Sequence, residues 1–98
     1  KISAASRIFR HTTNPNVTQV KYMTGTDAEV IEFNVPANSK ITKGTLRSID
    51  FPKDAIVGGG TRDGEPFIAT GDTIIQANDK VVVFTLPSAY EKLSKYFT

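Results

Sequence analysis

Cysteine and tryptophan are absent from this 98-residue sequence, and histidine occurs once, as His11. Without thiols the chain holds neither disulfides nor thiolate metal sites, and a reducing compartment is permitted. A zinc centre with a single imidazole would need several carboxylates, a ligand set that zinc rarely takes alone. His11 reads instead as a surface or interface side chain at the end of a helix, where a positive charge is tolerated. No apolar run reaches the roughly 20 residues that span a bilayer, and the N-terminus lacks a signal-peptide apolar stretch. Charge of one sign is never concentrated: twelve Lys and Arg against ten Asp and Glu give a net charge of +2, spread along the chain. Nucleic acid and anionic membrane surfaces therefore have no compositional support as partners. What remains, 39% hydrophobic and 22% charged residues, is the composition of one globular domain with a single modest core.

The apolar periods place the elements. Ile2, Ala5, Ile8 and Phe9 recur at helical spacing and Asn14-Pro15-Asn16 stops them, which predicts an amphipathic N-terminal helix. "VTQVKYM" is strand-like and "TGTD" a turn; in "AEVIEFNVP", Ile31, Phe33 and Val35 share one face, with Val30 breaking the alternation. Leu46 and Ile49 fit a short helix capped by Thr42 and closed by Pro52. "AIVGGGTR" and "EPFIA" flank Asp63-Gly64, suited to a type I′ hairpin turn, and "TII" and "KVVVF" flank "QAND" as a second hairpin. Ser88-x-x-Glu91 predicts a capping box for a C-terminal helix whose apolar side carries Ala89, Tyr90, Leu93 and Phe97. The predicted class is α+β: a small, mainly antiparallel sheet with a short helix and N- and C-terminal helices.

The three glycines Gly58, Gly59 and Gly60 beside Arg62 invite a phosphate-binding reading. A dinucleotide fingerprint fails because its last glycine position is Asp63, and a Walker loop fails because Glu65-Pro66 stands where Lys-Ser/Thr is required. The glycines also precede a hairpin, not the helix N-terminus that attracts an anion. They fit a bulge, tight curvature or close approach of another backbone, with phosphate recognition through Arg62 as the alternative. No Gly-x-Ser-x-Gly elbow surrounds a serine, and Asp72 and Asp79 read as turn residues, so no catalytic role is expected.

Residues 28–33, 43–49, 52–57, 62–64, 71–73 and 79–84 carry one ordered pattern. It runs Ala-Glu-x-x-Glu-Phe, Gly-x-Leu-x-x-Ile, Pro-x-x-Ala-x-Val, Arg-x-Gly, Gly-Asp-Thr and Asp-x-Val-x-Val-Phe, and covers about 60 of the 98 residues. The pattern resembles the TrkA-C domain of the regulator-of-potassium-conductance family. "ISAASRIFRHT" is similar to that family's linker helix, with Ala4 where proline is usual. The resemblance implies a linker helix and strand over residues 1–26, following an absent Rossmann-like domain, and a ligand-sensing and dimerisation domain over residues 27–98. It implies no resident cofactor, nucleotide being expected only in the upstream domain. It also implies a cytoplasmic homodimer or ring, peripheral to the inner face of the membrane through a potassium transporter subunit, with room for a small regulatory ligand. In members that bind cyclic di-AMP an Asp-x-Arg and a later Asn follow the short helix; here Asp50 is followed by Phe51-Pro52, so those ligand residues are not carried over.

Candidate interface or ligand positions are Ile56, Val57 and Arg62. The aliphatics could pack against a second copy or fill the core, and the arginine fork could serve an anion at a dimer seam or remain a solvated charge. Two other classes would share the short strands. A lipoyl-like carrier needs its lysine at a hairpin tip, whereas Lys80 runs straight into "VVVF"; a nucleic-acid-binding small barrel needs aromatics interleaved with basic residues on an open face.

Overall fold

Alternation decides the sheet. In the computed structural model, which describes residues 14–98, Ile31, Phe33 and Val35 all lie in the core, with Val81 and Val83 beside them. The strands are β1 (Val17–Tyr22), β2 (Glu29–Asn34), β3 (Ala55–Arg62), β4 (Glu65–Ile68) and β5 (Lys80–Thr85). They form one antiparallel sheet in the order β1-β2-β5-β3-β4. The central strand β5 pairs Val83 with Ile31 on one side and with Val57 on the other, so three strands contribute to one buried face. The short helix α1 (Tyr90–Ser94) and its flanking 3-10 turns (Pro87–Ala89 and Lys95–Phe97) complete that core. Phe97 stacks on Phe33 with ring centroids 3.9 Å apart, and Leu93 and Tyr90 are buried with it.

The α+β class stands, with local corrections. The N-terminal helix and His11 fall outside the described residues. Residues 43–50 form turns in place of a helix, and the 3-10 turn precedes them at Lys40–Thr42. The backbone N–H groups of Leu46 and Arg47 donate to the carbonyls of Thr73 and Gly71, across an isolated bridge between Thr45 and Ile74. Pairing with that loop takes the donors a helix would have used. Thr42 is not a cap, since its hydroxyl donates back to the Ser39 carbonyl. The second hairpin does not form either: "TII" contributes one bridge residue, and β5 pairs with β2 and β3. The Ser88–Glu91 capping box is absent, because a 3-10 turn with Pro87 at its start occupies that position and α1 begins at Tyr90 without a side-chain cap.

The first hairpin is as expected. Asp63 (φ 52°) and Gly64 (φ 81°) both take the positive angles of a type I′ turn. The glycine run answers to a bulge and to close approach together. Register slips between Val57 and Gly59, leaving Gly58 as the extra residue. A Cβ at Gly60 would collide with the Lys80 carbonyl, and one at Gly59 with the Phe67 carbonyl.

Candidate functional site

With one face of the sheet buried, the other carries an unexpected apolar surface. Glu29, not Val30, continues the buried alternation of β2, so Val30 sits on the outer face. It lies in a row with Phe84 of β5 and Ile56 of β3. The next row runs from Glu32 through Val82 and Gly59 to Ile68. Ile56 is 66% exposed, Ile68 82% and Phe84 42%. Leu86 and Met23 add exposed apolar area. Contiguous apolar surface of this kind marks an interaction face, whereas isolated exposed aliphatics carry no such meaning.

The bulge shapes this face. Because Gly58 lacks a side chain, the Phe84 ring lies over it, 2.8 Å from where a Cβ would stand. A shallow groove of about 280 Å³ follows, floored by Gly58, Gly59 and Gly60, walled by Val82 and Phe84, and edged by Glu32 and Lys80. A second hollow of about 280 Å³ lies beside Ile56, reaching Leu46, Arg47, Phe51 and Ala69.

Arg62 closes the far end of β3. Its Nε and Nη2 donate to both carboxylate oxygens of Asp79 at 2.8–3.2 Å, and Nη2 also donates to the Ile74 carbonyl at 3.0 Å. The guanidinium carbon stands 5.1 Å from the centroid of the Phe67 ring. Asp79 is almost wholly buried and further accepts the Gln76 N–H at 2.9 Å. Burial alone would push the Asp79 carboxyl upward, but the hydrogen bonds from Arg62 and Gln76 and the arginine's charge outweigh it and hold the group below its ordinary value. The hydrogen bond to Asp79 raises the Arg62 pKa against the opposing effect of burial, so the arginine stays charged.

The three candidate residues therefore occupy three different environments. Ile56 points outward into the apolar face, Val57 points into the core, and Arg62 has its fork engaged by Asp79. Phe84 and Ile68 were not singled out by sequence reasoning, and Asp79 was read only as a turn residue. The signals for the outer face were present: Val30 interrupting its alternation, and the unbroken "VVVF" that gives β5 two apolar sides. Among the described residues, no group of three His, Cys, Asp or Glu side chains could hold a metal ion, and no helix is long and apolar enough to cross a membrane.

Comparison with known proteins bears on this arrangement. Residues 30–98 match the model of the TrkA-C domain. The chain is 30% identical over 95 residues to Trk system potassium uptake protein TrkA homolog 1 of Methanosarcina mazei, covering 97% of the chain and 21% of that protein. Homolog 2 of the same organism is 32% identical over the same coverage. A Trk system potassium uptake protein TrkA homolog of Pyrococcus horikoshii is 29% identical over 93 residues, 94% of the chain and 40% of the relative. The chain thus spans about a fifth of the length of the Methanosarcina relatives.

Proposed function

The chain belongs to the TrkA-C domain family, and from that premise we propose that it is a regulatory domain of a Trk-type potassium uptake system, working by association with a second copy through the outer sheet face. In this reading it acts by binding and not by catalysis, carries no resident cofactor, and sits on the cytoplasmic side beneath a membrane potassium transporter. Within a dimer or larger ring, a small ligand bound at the seam between copies changes how the pair is held. A ligand that binds only the associated state must stabilise it, which makes the seam a natural place for regulation. The names of the relatives support the transport role.

The observation that carries the association reading is Ile56, two-thirds exposed at the β3 end of an apolar row, with Phe84 on one side and the hollow by Phe51 on the other. Burying such a side chain contributes roughly 1.5–3 kcal/mol, and a second copy would bring two of them. Val57 supports the face from behind by fixing β3 on the core. Arg62 braces its end by holding the hairpin to Asp79.

Sedimentation over a range of concentrations tests the proposal. The wild-type chain is expected to dimerise, and Ile56→Asp to remain folded by circular dichroism while sedimenting as a monomer. Repeating the series with adenine nucleotides and cyclic dinucleotides locates the regulatory part: a dimer strengthened by one of them is a sensor, and an indifferent dimer is a structural coupler. A wild-type monomer at all concentrations and with every ligand overturns the reading.

A further inference from the structure

Asn14 is 4% exposed although it lies just before the first strand. Its Nδ2 donates to the Ser94 hydroxyl at 2.8 Å and to the Ser94 carbonyl at 3.3 Å, and its Oδ1 accepts the Asn16 N–H at 2.9 Å. Asn16 repeats the pattern, its Nδ2 donating to the Phe97 carbonyl at 2.8 Å. The backbones of the same two residues belong to the sheet side: the Asn14 carbonyl accepts from Val17 and the Asn16 carbonyl from Asn34. Between them Pro15 fixes its own φ and restricts Asn14 to extended geometry. Residues 14–16 therefore form a stiff bracket, joined by backbone to the sheet and by side chain to the C-terminal segment 80 residues away in sequence.

The C-terminal segment passes the connection on. The Tyr96 hydroxyl donates to the Asp50 carbonyl at 2.7 Å, and the Tyr96 ring meets Phe51 edge-on at 5.3 Å. The turn before Asp50 is bonded to the next loop through Leu46 to Thr73 and Arg47 to Gly71. Leu46, Arg47, Phe51 and Gly71 line the hollow beside Ile56. A continuous series of packed and hydrogen-bonded groups thus runs from the bracket to the outer face.

We infer that residues 87–97 act as a strap that couples the position of the chain at Asn14 to the Ile56 face. The inference rests on the proposed association only for its outcome; the strap itself is a property of this chain. Displacement at Asn14 shifts Ser94 and Phe97, loosens Tyr96 from Asp50, and frees the 45–50 turn that shapes the hollow. Spatial continuity alone does not demonstrate coupling, so the test must measure how one end responds to a change at the other.

Hydrogen exchange on the whole chain makes that measurement. In Asn14→Ala, the amides of residues 90–97 and those of Ser48 and Ile49 are expected to exchange about fivefold faster or more, as for a lost buried hydrogen bond. The hairpin around Asp63 and Gly64 is expected to be unchanged. Ser94→Ala removes the hydroxyl acceptor of that contact, leaving the longer bond to the Ser94 carbonyl, and serves where Asn14→Ala unfolds; by reciprocity it should quicken Val17 as well, to a smaller extent. Tyr96→Phe keeps the ring and loses only the hydroxyl, so it should quicken Ser48 and Ile49 without loosening Val17 to the same extent. Changes confined to Asn16 and Val17 in Asn14→Ala overturn the strap. Sedimentation separates the two ideas: a wild-type dimer that Asn14→Ala leaves equally strong breaks the link to the Ile56 face. A wild-type monomer sinks the association reading, while the exchange pattern still decides the strap.

Discussion

Arg62 grips Asp79 through two nitrogens, with the carboxylate 2% exposed and the arginine side chain 36% exposed. The pair joins the end of β3 to the loop that carries Ile74 and Ile75. Among the described residues, removing the arginine leaves the buried carboxylate with the Gln76 N–H alone. For fully buried pairs such a break costs roughly 3–5 kcal/mol; with a third of Arg62 in water, Arg62→Ala is expected to lose about 2–3 kcal/mol. Urea denaturation checks this. Arg62→Lys should fall between the two, since a point charge replaces the planar fork.

The same pair sets an acid limit. The Asp79 carboxyl titrates below its ordinary value in the folded chain, so in acid the unfolded state takes up the proton first. Stability from this group is complete above the unfolded value of about 3.9 and is lost as pH falls from there through the folded value. Urea midpoints are expected to be level, as far as Asp79 is concerned, from pH 7 down to about 5, and to drop as pH falls below about 4. Asp79→Asn, less stable near neutrality, should show a shallower drop over that acid interval. Parallel curves for the wild type and for Asp79→Asn would refute the assignment.

How far the sequence carries depends on the range of the interactions involved. The buried face of β2 was legible because alternation is local, and Asp63-Gly64 because the type I′ turn needs positive angles at both residues. The stretch from Thr45 to Asp50 was not, because Leu46 and Arg47 bond to residues 71–73, a pairing that no local period encodes. The capping box was a true local signal displaced by Pro87 and the packing of Tyr90. At the candidate site, Ile56 and Val57 were visible as a pair, but which faced outward required the register with Phe84 and Val83. Asp79 read as a turn residue and is one, through Gln76; its partner 17 residues away was invisible.

The glycines differ in what replaces them. A Cβ at Gly60 meets the backbone carbonyl of Lys80, which cannot move without opening the β3–β5 ladder. A Cβ at Gly58 meets the Phe84 ring, which can swing outward into solvent. Gly60→Ala is therefore expected to cost about 2–3 kcal/mol and Gly58→Ala about 1 kcal/mol or less, read by urea denaturation. Gly58→Ala should nonetheless alter association, since it moves Phe84 across the groove.

Adjacent residues on β3 allow the sharpest separation of folding from association. Val57 is in the core, paired with Val83, and trimming it to alanine removes two buried methyl groups. At roughly 0.8 kcal/mol for each, with a small cavity added, Val57→Ala is expected to lose about 2 kcal/mol of folding stability. Ile56 has only a third of its surface covered in the single chain, so Ile56→Ala should alter folding by no more than about 0.5 kcal/mol. The order reverses for association: Ile56→Ala should weaken the dimer by about tenfold or more, while Val57→Ala, wherever it remains folded, should leave it nearly as strong. Urea denaturation at low chain concentration and sedimentation at high concentration read the two quantities separately. If Ile56→Ala unfolds the chain while Val57→Ala does not, the strand faces inward at the wrong residue and the proposed interface is lost with it.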